Sequence, residues 1–172
     1  LNEYYIVIIS NPALKSVVLV IASIVAAKLV DRIFTFIFKR LVDKTKTSLD
    51  DNILQLLHKP IFYSILFIGF SVAVKTATLP GYVDFALVGI FKTVTIIIWL
   101  FVISKILVMS MEWASRQTTS TLLQKNTLPL FNNLGKIAIG LFGAYFIFLS
   151  WDININGILA SAGVLGVVLG LA

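Results

Sequence analysis

Gly157-Ile-Leu-Ala-Ser-Ala-Gly-Val-Leu-Gly-Val-Val-Leu-Gly-Leu-Ala172 carries no charged residue and holds glycines at 157, 163, 166 and 170. In water a glycine inside a helix costs roughly 1 kcal/mol relative to alanine. In a bilayer, small residues let helix backbones approach closely and pack. The stretch therefore reads as an apolar helix built to press against other helices.

The rest of the chain agrees with a bilayer setting. Of its 172 residues, 59% are hydrophobic and only 13% charged, with a mean hydropathy of +0.99. Soluble domains carry about 25% charged residues. Apolar runs recur at the length a bilayer core requires, about 20 residues, which argues against a soluble helical bundle. The net charge of +6 comes from basic residues beside apolar segments. That placement speaks for orientation in a membrane and not for a nucleic-acid partner. There is no cysteine, hence no disulfide, thiol nucleophile or cysteine-based metal site. The apolar stretch after Lys15 is too long for a cleaved signal and lacks a clear cleavage site. Because the chain starts at Leu1, we expect residues upstream of it.

Five apolar segments are predicted: Pro12 to Leu41, Pro60 to about Ala77, Val83 to Arg116, Leu128 to Ser150, and Ile155 to the end. Asn11-Pro12, Leu79-Pro80-Gly81 and Trp151-Asp-Ile-Asn-Ile-Asn156 have turn chemistry and separate them. Between the first two lies a polar piece. Within it Ser48 is placed as an N-cap, with Asp50 and Asp51 in the first turn. Leu49, Ile53, Leu56 and Leu57 recur at helical spacing, predicting a short interfacial helix near 48–58. Lys39, Arg40, Lys44, Lys46 and Lys59 follow segment one, and Arg116 and Lys125 follow segment three. The loop from Thr76 to Phe91 and the turn at 151–156 hold no Lys or Arg, and the N-terminal arm holds only Lys15. The expected topology is N-terminus outside and C-terminus cytoplasmic.

Catalytic chemistry finds little support. His58 is the single histidine and has no Asp, Glu or Ser partner at a telling spacing, so it reads as an interfacial polar residue. Asp50 and Asp51 read as first-turn acids more readily than as cation ligands. No phosphate-binding glycine loop or zinc-protease pattern occurs. No cofactor or metal is expected. Lys28, Asp31 and Arg32 lie late in segment one, and the spacing lets Lys28 and Asp31 pair. With Lys105 and Lys136 they are assigned to the membrane interface, where long side chains reach water. No acid falls at a span midplane, which counts against a proton- or cation-coupled carrier. Trp151 is assigned to the interfacial aromatic belt.

Helical geometry divides the last segment into faces. With about 100° per residue, Ala160, Val164, Val167 and Leu171 share a front. Gly163, Gly166 and Gly170 form a groove on one flank, and Ser161, Val168 and Ala172 lie on the opposite flank. A groove against a ridge suits head-to-tail contacts, which close into rings. The front would then line an axis without ion-hydrating groups, a constriction that gates by dewetting. The competing reading packs the glycines against segment three or four of the same subunit.

At these residues the sequence resembles the small-conductance mechanosensitive channel family (MscS-like). Trp151 to Ala172 looks like that family's run into its pore-lining helix, with Gly166 to Ala172 the closest stretch. Lys46-Thr-Ser-Leu-Asp-Asp51 and Lys59-Pro60 look like the multi-span branch with extra N-terminal helices. The resemblance implies a homoheptamer opened by bilayer tension, passing ions and small solutes for osmotic protection. Its partners would be membrane lipids and identical subunits, in a bacterial inner, archaeal plasma or organelle membrane. It implies that Val167 and Leu171 are the rings closing the pore, and that neighbouring helices slide on Gly163, Gly166 and Gly170. Val164 and Val168 depart from the family's alanines on the facing flank, which bears on how tightly the ring closes. The family continues into a kinked half-helix and a β-rich vestibule, so the chain is expected to be the membrane part of a longer protein. The expected fold is an all-α membrane protein of five transmembrane helices per subunit in a ring-shaped homo-oligomer. Residues 1–150 would form a four-span paddle with the short interfacial helix, and 151–172 the first half of the pore helix. A small-molecule transporter subunit and a non-conducting assembly component remain the alternatives.

Overall fold

A computed structural model describes residues 11–42, 48–117 and 127–171, except for the side chains of 38–42, 48–51, 54, 116 and 117. The expected roles of Ser48, Asp50, Asp51 and Ala172, and the basic residues 39, 40, 44, 46, 116 and 125, lie outside that description. The described residues form five helices and no strand: α1 (Pro12–Val42), α2 (Ser48–Thr76), α3 (Gly81–Gln117), α4 (Leu128–Ser150) and α5 (Asn156–Leu171). Four of them are long and apolar enough to cross a membrane: Pro12–Ile37, Gln55–Thr76, Gly81–Ser115 and Leu128–Ser150. The fifth is apolar but has 16 residues. At 1.5 Å per residue it is about 24 Å long, short of a hydrocarbon core of about 30 Å.

Pro12 starts α1, where its missing N–H costs nothing. Asn11 caps this end by accepting the Ala13 N–H at 3.1 Å. The separate interfacial helix near 48–58 is replaced by one continuous helix, α2, with Pro60 inside it. Proline normally breaks a helix by losing one hydrogen bond and crowding the preceding turn. Here its ring is fully buried, and that burial offsets the cost. The apolar window of α2 begins at Gln55, so the helix enters its membrane-compatible stretch about two turns after its start.

Consecutive helices pack in pairs: α1 on α2, α2 on α3, α3 on α4. Each seam sets a small residue against a neighbour, the way membrane helices gain contact without a hydrophobic driving force. On the first seam Ser23 and Ala27 of α1 are buried, as is Ala73 of α2. A Cβ at Gly69 would collide with the Ser23 side chain. On the second, Trp99 donates its indole N–H to Ser64 at 2.9 Å, and Phe67 stacks on Phe91 with centroids 5.5 Å apart. On the third, Leu100 fills the space over Gly143 and Leu107 the space over Gly135.

Candidate functional site

The junction between α4 and α5 is built from two devices. The first is local. Asp152 adopts φ 54°, the left-handed region. Its N–H reaches the Leu149 carbonyl at 3.2 Å, and the Ile153 N–H reaches the Phe148 carbonyl at 3.0 Å. These are the two bonds of a Schellman motif, which satisfies the orphan carbonyls of a helix end. Asn154 then accepts the Asn156 N–H at 3.0 Å and the Ile155 carbonyl accepts from Leu159 at 3.0 Å, starting α5. The second device is tertiary. Trp151 donates its indole N–H to the Thr93 hydroxyl at 2.9 Å and meets Phe85 edge-on, centroids 5.8 Å apart. Its ring also lies 3.2 Å from where a Cβ on Gly89 would stand. Trp151 is thus more than a belt residue: it fastens the end of α4 to α3.

Beyond this junction α5 is exposed along its whole described length. Gly163, Gly166 and Gly170 meet no described atom within 4 Å of an added Cβ. Packing of these glycines against α3 or α4 of the same subunit is therefore not what the structure shows. Val164, Val167 and Leu171 on the front, and Val168 on the ridge, are exposed as well; so are Ala160 and Ser161. Ser161 spends its hydroxyl on its own helix, at 3.0 Å from the Gly157 carbonyl.

The residues assigned to the membrane interface divide into two groups. Lys105 is exposed with its ammonium 4.7 Å above the Phe101 ring, a cation–π contact one turn away. Lys136 is exposed on α4. Lys28, Asp31 and Arg32 line one groove along α1 with Val25, Leu29, Thr35 and Phe36. The Lys28–Asp31 pair that the spacing allows is not formed among the described residues. Asp31 instead receives the His58 ring at 2.7 Å from Nδ1. Thr35 lies 3.4 Å from Nε2 of the same ring, and Phe34 meets the ring edge-on at 5.8 Å. His58 therefore has an acid partner, which local spacing did not reveal because the two sit on different helices. The signal was the hairpin: residues 31 and 58 are nearly equidistant from the α1–α2 connection, so antiparallel packing sets them level.

Residues 133–172 match the family described as "Mechanosensitive ion channel, transmembrane helices 2/3". The likeness to the MscS-like channel family holds. In the terms of that description the matched stretch takes in most of α4, the Trp151 junction and α5. No curated protein and no solved structure matches the chain. The matched stretch thus coincides with the anchored junction and the exposed helix, while α1 to α3 lie outside the match.

Proposed function

We propose that the chain is a subunit of a tension-gated, weakly selective channel, assembled as a ring with α5 around the axis. The carrying observation is that α5 is uncharged, exposed on every face and set within the stretch that matches a mechanosensitive-channel family. An apolar helix with glycines open to their surroundings needs partners, and identical helices supply them by groove-to-ridge contact. In this reading α1 to α4 form the lipid-facing paddle. Tension favours the state of larger in-plane area and shifts the closed–open population. The Trp151 junction passes the movement of α4 to α5. Val167 and Leu171 form the dewetting constriction, with Ala160 and Val164 on the same lining face. Gly163, Gly166 and Gly170 pack on Ser161, Val168 and Ala172 of the neighbour.

The proposed assembly is a homoheptamer that relieves osmotic stress, with the N-terminus outside. Lys75 and Lys92 border the α2–α3 connection. The orientation therefore rests on the contrast with the larger basic cluster between α1 and α2, since positive residues near span ends set topology. Patch-clamp recording under graded suction tests the function. Stretch-activated steps are expected; an assembled protein that stays silent up to bilayer rupture would overturn the channel reading. Electron microscopy checks the ring, and a monomer or dimer would speak against it.

A further inference from the structure

A crevice of about 400 Å³ runs between α2 and α3 on the side of their connecting turn. Its wall is apolar, with Phe67, Ile68 and Val72 of α2 facing Val88, Phe91 and Ile96 of α3. Two lysines line it, Lys75 from the last turn of α2 and Lys92 from about three turns into α3. Helix electrostatics account for Lys75, since a cation at a C-terminus is favoured. They give no reason for Lys92 inside a membrane-compatible window. No acid lines the crevice, and the one ion pair among the described residues is His58 with Asp31. The hydroxyls in the wall are already committed. Ser71 donates to the Phe67 carbonyl, Thr95 to Phe91 and Ser150 to Ile147. The two lysines are therefore the uncommitted donors over an apolar trough.

We propose that this crevice binds an anionic phospholipid, its phosphate held by Lys75 and Lys92 and an acyl chain lying on Phe67, Ile68, Val72 and Ile96. The occupant must be amphiphilic, because the charged donors and the apolar wall belong to one continuous crevice. It must be anionic, because the crevice wall carries two positive side chains and no acid, which favours a negative headgroup. The lysine stems lie along the wall while their heads reach the phosphate level. The site is independent of conduction and stands whether or not the chain forms a channel.

The test is native mass spectrometry of the detergent-purified protein titrated with phosphatidylglycerol, phosphatidylcholine or inorganic phosphate. Phosphatidylglycerol is expected to be retained in preference to phosphatidylcholine. Lys75→Gln or Lys92→Gln should each weaken that preference about fivefold, and K75Q/K92Q roughly 30-fold. The charge-retaining pair K75R/K92R should keep it, and Lys15→Gln on α1 should leave it unchanged. Equal retention of the two lipids, or an undiminished preference in the single and double glutamine variants, overturns the proposal. So does inorganic phosphate that displaces phosphatidylglycerol at equal concentration, which would mark a free-anion site. Should K75Q/K92Q fail to fold, the single exposed substitution Lys75→Gln carries the decision.

Discussion

The indole of Trp151 and the hydroxyl of Thr93 are joined by a 2.9 Å hydrogen bond that ties the end of α4 to α3, five residues before α5 begins. In the proposed mechanism, movement of α3 and α4 is passed to α5 by this joint and the Schellman turn behind it. The bond is made in a part-buried position, where an unpaired donor is costly.

Trp151→Phe keeps an aromatic ring against Phe85 and Gly89 and removes the donor. The expected loss is about 1 kcal/mol of stability, read as a lowered melting temperature in detergent. Thr93→Val should cost a similar amount, and the W151F/T93V pair less than the sum. Strict additivity would mean that the two residues do not act together.

Asp152 holds a left-handed conformation that costs a non-glycine residue about 1–2 kcal/mol. Asp152→Gly should therefore raise the melting temperature, and Asp152→Val, whose branched side chain resists this region, should lower it. A melting order with valine above glycine would contradict the turn geometry.

The glycines of the chain should respond in two opposite ways. Gly69→Ala places a Cβ on Ser23 and should destabilise by about 1–3 kcal/mol through overpacking. Gly163→Ala meets nothing among the described residues, so subunit stability should hold or rise by up to about 1 kcal/mol. In the proposed ring its effect should appear in oligomer stability or in the gating tension. A Gly163→Ala protein unchanged in both would remove the groove from the assembly.

His58 and Asp31 are each about one-third exposed, at 32% and 36%, so water screens their attraction. Either Asp31→Asn or His58→Ala should cost about 1 kcal/mol, and a double-mutant cycle should recover a coupling of roughly 0.5–1 kcal/mol. A coupling of zero in the thermal denaturation cycle would show that the contact carries no stability.

Leu171 is 86% exposed in the single chain and forms part of the proposed constriction. Leu171→Ser should lower the tension threshold by easing the wetting of the pore. A threshold equal to the wild type in patch-clamp recording would take Leu171 out of the gate.

Much of the fold is legible in the sequence because helices in a bilayer satisfy their own backbone hydrogen bonds, leaving length and apolarity as the deciding variables. The predicted starts at Pro12 and Leu128 and the end at Ser150 recur in the structure. The α2 start differs because Pro60 looks like a boundary along the chain. Only tertiary packing supplies the burial that lets the helix run through it.

By itself, the sequence determined that the chain is helical and membrane-compatible, that it breaks near Pro12, Pro80 and Trp151, and that its last helix is uncharged and glycine-lined, since all of these follow from local composition and spacing. Tertiary structure decided the partners: Asp31 with His58, Thr93 with Trp151, Ser23 beside Gly69, and Lys75 with Lys92 around one crevice. Those pairings depend on the register of one helix against the next, which is set by where small residues allow two backbones to meet.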